Sequence, residues 1–539
     1  MDMDMKDLRP HTAHNGEEHR EAVTEVVEQQ ITETANDGMD VSCKIEIIRD
    51  LPAKNRFVPD AYINETIEVL PEKRVAFQNV GDSKRWLMMI LVVLINFSNT
   101  CSWIAYAPVG NYVNGFYGEA TATWISMVFL LIAVPFSFIG MYIGSVTGVT
   151  AALLCAACPN FFGALVRWMS SLSAINPAFR FQTLVIGQVV AGASYTFLLY
   201  LPSKVSDTWF PPSERTLATT IGVMANPAGV MFVNLISPLL VQSSRDVPIL
   251  NAFLALLCSM TMLAVFFGIF CYKTKENVTT DLKSKLFFES MGRCFKNRTY
   301  IILFISLGGG IAMFNSLYTM MSQMICPSGH GNAWAGYYAI SMIVAGIVGA
   351  TIASSIVDTH RCYKEVMIVS MTAASLFGIA FIWMTRVEGI IGRIGLLIFS
   401  ILLGTFGLAA YPVGLELAIE CTYPVSPEVS SGFIVLMGQI MSIVMVYILK
   451  YFSKKIIIDD NIHSAEVCRT SSYDSINIPN DYFVPIIIVS IIATFLAIIT
   501  MFMNPKYERS KNNNDNRFKK SDAEANKIFA AIASSTDID

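Results

Sequence analysis

The chain runs to 539 residues, of which 53% are hydrophobic and only 15% charged, with a formal net charge of −4 at pH 7. Soluble domains average about 25% charged residues, so this composition excludes an ordinary soluble enzyme and points to a chain that spends much of its length in lipid. The net charge sums compartments that never share a surface and so identifies no partner, and no feature marks a nucleic-acid binder.

Residues 1–80 are polar and acidic, with Glu17, Glu18, Glu21, Glu25 and Glu28 near the start and no apolar run resembling a signal-peptide core. They read as a disordered cytosolic tail. A helix needs about 20 mainly apolar residues to cross a bilayer core, and from Trp86 onward nearly every stretch of that length qualifies. Spans are expected at 86–110, 122–144, 147–169, 181–204, 216–241 and 249–272. After a charged loop, six more follow at 300–325, 333–357, 366–385, 394–416, 430–452 and 482–504. The chain thus divides into a tail (1–80), a six-helix half (81–273), a central loop (274–299), a second half (300–505) and a C-terminal tail (506–539).

Short cytoplasmic loops carry an excess of Lys and Arg. Lys73, Arg74, Lys84 and Arg85 precede the first span, Lys273, Lys275, Lys283, Lys285, Arg293, Lys296 and Arg298 lie around the central loop, and Lys506, Arg509, Lys511, Arg517, Lys519 and Lys520 follow the last span. Both termini and the central loop are therefore expected in the cytosol, with Lys454 and Lys455 as exceptions on the outer side. On that topology the sequons at Asn64, Asn277 and Asn297 stay unglycosylated, as does Asn96 inside a span. Six spans, a charged loop and six more is the layout of the all-α major facilitator fold, whose halves enclose a site near the membrane midplane.

The eleven cysteines form no disulfide framework. Cys101, Cys258 and Cys421 lie in apolar spans, where cysteine behaves as a small hydrophobe. The Cys155/Cys158 pair has CxxC spacing, but it sits in an apolar helix without nearby His or carboxylate and reads as packing. Cys326 and Cys468 fall in expected outer loops, where a bridge is conceivable. Gly308, Gly309 and Gly310 read as close helix packing rather than a phosphate loop, and His330 as a turn residue. No P-loop, HExxH or GxSxG signature occurs, so no enzyme, ATP motor, metal or cofactor is expected.

Ionisable groups deep in a span would signal ion coupling, because burying charge in hydrocarbon is costly. The first six spans have almost none centrally; Arg167 and Lys204 stand near ends, where they can snorkel. Glu416 and Glu420, near the cytosolic end of span 10, read as an inner gate or contact between halves. The polar inventory is otherwise neutral and aromatic: Asn96, Asn99, Trp103 and Tyr106 in span 1, Gln188 and Tyr195 in span 4, Asn226 before Pro227 in span 5, Asn315, Tyr318 and Gln323 in span 7, and Gln439 in span 11. Asn99, Trp103 and Tyr106 are spaced to share one helical face. Two readings stay open for the rings: the wall of a cage for a quaternary amine, since ring faces attract cations by about 0.5–2 kcal/mol, or an aromatic belt and helix packing. Asn226-Pro227 reads first as a kink with a locally satisfied carbonyl.

Ser98-Asn99-Thr100-Cys101-Ser102-Trp103-Ile104, Trp124-Ile125-Ser126-Met127-Val128, Leu201-Pro202-Ser203-Lys204, Thr208-Trp209-Phe210, Ile221-Gly222-Val223 and Glu416-Leu417-Ala418-Ile419-Glu420-Cys421-Thr422-Tyr423-Pro424 resemble solute carrier family 49, the relatives of the feline leukaemia virus subgroup C receptor. The similarity runs from about Arg85 to Asn504, and Asn226-Pro227-Ala228-Gly229-Val230 and Cys326-Pro327-Ser328-Gly329-His330 look closest to that family's poorly characterised major facilitator domain-containing branch. The resemblance implies the major facilitator fold and a transporter. Members are linked to choline and ethanolamine, with haem export proposed for some and a vitamin for another branch. In the choline carriers a span 1 tryptophan and a span 11 glutamine line the site, matching Trp103 and Gln439. Tyr195, Asn315 and Phe129 stand where those carriers have glutamine, tyrosine and tyrosine, so half the cage has changed; Tyr195 or Tyr318 would restore an aromatic wall. The charged loop between spans 2 and 3 is replaced by Gly144-Ser145-Val146-Thr147-Gly148, whereas its counterpart Asp358-Thr359-His360-Arg361-Cys362-Tyr363-Lys364 remains; Asp358 and Arg361 are expected to gate, and the balance between states to differ.

The expected protein is a facilitative uniporter in the plasma membrane, with an endolysosomal membrane as the other choice. Trp103, Gln439, Tyr195, Asn315, Phe129, Tyr106 and Tyr318 are its substrate contacts, and a small organic cation such as choline is the cargo. Haem or another amphipathic metabolite is the alternative, and a non-transporting receptor or scaffold the alternative of another class. Its partners are the bilayer and a small molecule.

Overall fold

A computed structural model of the chain describes residues 82–118, 121–270, 280–325, 328, 332–455 and 480–511. The N-terminal tail, Asn64, Asn277, His330, both members of the Cys326/Cys468 pair and the tail beyond 511 lie outside these residues. Twelve long helices fall where hydropathy places the spans. They are α1 (Asp82–Ile104), α2 (Thr121–Val146), α3 (Val149–Ser170), α4 (Pro177–Leu198), α5 (Arg215–Leu240) and α6 (Val247–Phe270), then α7 (Arg298–Ile325), α8 (Asn332–His360), α9 (Tyr363–Met384), α10 (Gly389–Thr422), α11 (Pro427–Phe452) and α12 (Phe483–Met501). Each half contributes six. The start of α1 and the end of α12 share one end of the bundle, called here the terminal end; the opposite end is the far end.

Local chemistry sets several boundaries. Asn176 caps α4 by accepting the Ala178 N–H at 3.1 Å, with Pro177 at the first helical position. The expected fourth span breaks at Leu199–Tyr200 and continues as a separate helix, Leu201–Trp209, again with Pro at its start. The first span ends at Ile104 rather than near 110, because the residue before Pro108 is disfavoured in a helix. Asn297 accepts the Thr299 N–H at 2.9 Å and opens α7. Part of the expected central loop, Thr280–Lys296, is a helix, and at the far end Lys454–Lys455 pairs with Asn480–Asp481.

Lipid-facing positions carry large apolar side chains, such as Phe266, Phe267, Ile390 and Ile391, all more than half exposed. Helix contacts within the bundle use small residues, as in membrane packing generally. A Cβ on Gly163 would stand 2.6 Å from the Ala191 nitrogen and one on Gly187 2.8 Å from the Gly163 carbonyl, so α3 and α4 meet backbone to backbone. Gly349 and Gly404 do the same for α8 and α10. Gly308 faces Met437 and Gly309 faces Leu496, in keeping with a packing role. Cys155 and Cys158 are free thiols in α3.

Neutral polar groups join the helices of the first half. The Asn99 amide donates to Asn160 Oδ1 at 3.1 Å and to the Ala191 carbonyl at 3.0 Å, and Asn160 donates to the Ser98 hydroxyl at 2.9 Å. Asn96 donates at 3.0 Å to the Gly222 carbonyl, near the α5 turn that Pro227 disrupts. Arg167, expected to snorkel, instead turns inward and is 2% exposed, donating to the Ser102 carbonyl with its guanidinium 4.7 Å from the Tyr106 ring centre.

Gly404→Val drives a side chain into the Met342 carbonyl and should lower stability by about 1–3 kcal/mol, read as a depressed melting temperature in detergent. Gly336→Ala, with nothing within 4 Å of the added carbon, should leave that temperature unchanged.

Candidate substrate cavity and gate

A cavity of 160 Å³ opens between the two halves. Trp103 of α1, Tyr195 of α4 and Asn226 of α5 line it from the first half. From the second half come Asn315 and Tyr318 of α7, Tyr411 of α10 and Gln439 of α11, with methionines 313, 371 and 445 filling between the rings. Among the described residues that line it there is no Asp, Glu, Lys, Arg or His.

Gln439 donates to the Tyr195 hydroxyl at 2.9 Å, a bond that crosses from one half to the other. Asn315 donates to the Ser442 hydroxyl at 3.1 Å. Four buried polar atoms on the wall have no hydrogen-bond partner among the described residues: Trp103 Nε1, Tyr318 Oη, Ser375 Oγ and Gln439 Oε1. A buried polar group without a partner costs about 1–3 kcal/mol, so these atoms offer donors and an acceptor to a guest or to water.

Of the seven sequence-derived contacts, Trp103, Tyr195, Asn315, Tyr318 and Gln439 lie on the cavity wall. Phe129 does not. It is 1% exposed and stands behind the wall, stacked on Trp103 at 5.9 Å and tilted against Tyr195 at 5.5 Å. Tyr106 also lies elsewhere: its hydroxyl donates to Asn251 Oδ1 at 2.5 Å, and its ring carries the Arg167 guanidinium. Helical spacing misplaces Tyr106 because α1 has ended at Ile104, and Asn99 is turned into the first half by its two hydrogen bonds. Asn226 and Tyr411 were not picked as contacts. Asn226 had been read as part of a kink, and Tyr411 sits in an apolar run before Pro412 with no distinguishing neighbour.

The terminal end is closed by polar contacts between the halves. Asp358 at the end of α8 accepts the backbone N–H groups of Thr216 and Leu217 at 3.1 and 2.9 Å, satisfying donors that the first turn of α5 leaves free. Glu416, 2% exposed, accepts the Thr219 hydroxyl at 2.6 Å. Thr220 and Ser354 hydroxyls meet at 2.5 Å. Lys204 pairs with Glu428 of α11 at 2.7 Å, both nearly buried, while donating to the Gly144 and Thr147 carbonyls. The uncharged loop between α2 and α3 therefore joins the gate through its backbone.

Two expected gate residues have other neighbours. Glu420 accepts the N–H of Ser510, in the segment that follows α12, at 2.7 Å. Arg361 ends α8 at φ 57°, the left-handed region, and donates to the Tyr363 hydroxyl at 3.3 Å. The Lys204–Glu428 pair, Asp207 and Arg509 also make contacts between the halves at the terminal end, and sequence reasoning did not select them. Glu428 had one legible signal, a lone carboxylate in the first turn of an apolar span.

The Major Facilitator Superfamily profile matches residues 88–446. The chain belongs to the major facilitator superfamily. Among its relatives in that superfamily, an uncharacterised protein of Caenorhabditis elegans is 41% identical, over 80% of this chain and 85% of the relative. Solute carrier family 49 member A3 of Danio rerio is 27% identical over 79% of this chain and 88% of its own length. Choline/ethanolamine transporter FLVCR2 of Homo sapiens is 26% identical over 67% and 70%. Within that superfamily the chain is similar to members of solute carrier family 49. The crystal structure of the Escherichia coli fucose:proton symporter superposes with a TM-score of 0.56 at 12% identity, covering 78% of this chain and 98% of that one, and shares the fold. The protein is thus a multi-pass membrane transporter of small molecules and not an enzyme.

Glu428→Gln leaves Lys204 charged and buried without its counter-ion and should destabilise the protein by about 3–5 kcal/mol, whereas Lys204→Met with Glu428→Leu should cost far less. Thermal unfolding of the parent, Glu428→Gln and the double variant in one detergent measures the difference.

Proposed function

We propose that this protein is a facilitative uniporter for a small organic cation of the choline type, working by alternating access. The observation that carries the reading is a cavity between the halves whose described lining has five aromatic side chains, Trp103, Tyr195, Phe314, Tyr318 and Tyr411, and no ionisable acid or base other than tyrosine. Ring faces attract a quaternary ammonium by about 0.5–2 kcal/mol. The unpartnered Trp103 N–H and Gln439 carbonyl suit a guest that also carries a hydroxyl. Several relatives, FLVCR2 among them, are named as choline/ethanolamine transporters.

Size supports a small cargo over haem, since a cavity of about 150 Å³ suits a guest the size of benzene. The absence of a carboxylate or histidine from the lining favours uniport over proton coupling. For a monovalent cation, a potential of about 100 mV supplies roughly 2.3 kcal/mol, or about fifty-fold accumulation. With both termini in the cytosol, as the Lys and Arg distribution favours, the closed terminal end makes this the state shut toward the cytosol. A plasma-membrane location follows the family lean.

Liposomes containing only this protein should take up labelled choline, with accumulation following the imposed voltage. At clamped voltage a pH gradient should have no effect; collapse of uptake with that gradient would remove the uniport mechanism, and binding without flux would leave a receptor. Trp103→Ala should raise the KM about tenfold or more and Trp103→Phe only a few-fold, while haem should compete poorly.

A further inference from the structure

The chain stays with the bundle after α12. The Thr299 hydroxyl donates to the Asn504 carbonyl at 3.1 Å, the Lys364 N–H donates to the Tyr507 hydroxyl at 3.4 Å, and the Tyr507 ring lies 5.9 Å from that of Tyr363. With the Ser510–Glu420 bond, these contacts hold residues 504–510 against α7, α9 and α10. They set Arg509 at the seam between the halves.

Arg509 is 4% exposed. Its Nη2 lies 3.0 Å from Asp207 Oδ1 in the first half and its Nη1 3.5 Å from Glu416 Oε2 in the second. One guanidinium therefore bridges a carboxylate from each half. Asp207 has a second cation, Arg215, at 3.7 Å, but that residue belongs to its own half. Glu416 has the neutral Thr219 hydroxyl. With Arg509 in place the two acids are drawn to a shared charge; with it withdrawn, two like charges face one another across the seam with little water to screen them.

We propose that the segment after α12 is an intramolecular latch. Arg509 supplies the charge that holds the terminal end shut, and release of residues 504–510 from the seam frees the halves to separate there. The closing interaction is thus carried by a removable piece of tail as well as by the helices.

A reporter independent of substrate is available in the full-length protein. Thr220 and Ser354 touch across the seam and are themselves no part of the latch, so Thr220→Cys with Ser354→Cys should cross-link readily under mild oxidation whenever the terminal end is closed. The parent without the added pair gives the background from native thiols. Adding Arg509→Ala should slow cross-linking about tenfold, because it removes the cation that Asp207 and Glu416 share across the seam, and Arg509→Lys should restore much of the rate. Glu420→Gln, which loosens the tail while leaving Arg509 in place, should act in the same direction more weakly. Size-exclusion chromatography establishes which variants are folded. An unchanged rate in folded Arg509→Ala, or, if that variant does not fold, in Glu420→Gln, would overturn the latch.

Discussion

Charge is expensive in a low-dielectric interior, and the layout of this protein follows from where that cost is met. Buried ionised groups in the seam stand at the terminal end, each with counter-charges or backbone donors: Lys204 with Glu428, Asp358 with the first turn of α5, and Arg509 with Asp207 and Glu416. The cavity is left with rings, thioethers and neutral amides. This partition gives one region that can hold a guest by its ring faces and another that makes and breaks strong contacts as the halves move.

The two regions share their helices. Tyr195 lies on α4, and Lys204 on the helix that continues it; their partners Gln439 and Glu428 both lie on α11. Tyr411 at the cavity and Glu416 at the gate are five residues apart on α10. A guest that competes for the Gln439 amide therefore acts on α11, the helix that also carries Glu428, and one that presses on Tyr411 acts on the helix of Glu416.

The spans were legible because lipid imposes a length and a composition that sequence displays directly. Trp103 and Gln439 came from matching family motifs, and Tyr318 from its position in an apolar span. Side-chain direction was less accessible. Tyr106 shares a spacing with Trp103 only if the helix continues, and Pro108 stops it. Phe129 occupies an aligned position but supports the wall from behind. The Lys204–Glu428 pair joins residues 224 positions apart, and Arg509 lies in what composition marks as a basic tail. No local pattern connects either to its partners. The stretch that replaces the charged loop between α2 and α3 has no charged side chain, yet its Gly144 and Thr147 carbonyls hold the Lys204 ammonium, a contact invisible to any reading of side-chain chemistry.

The central claim is that an uncharged, ring-walled cavity recognises a cation. It is tested most directly by calorimetric titration of the purified protein with choline and with its neutral isostere, in which carbon replaces the ammonium nitrogen. The two guests share shape and hydroxyl and differ only in charge. The account predicts that choline binds about tenfold more tightly, and that this margin disappears in Trp103→Ala. Equal affinity for the two guests, or tighter binding of the neutral one, would contradict it.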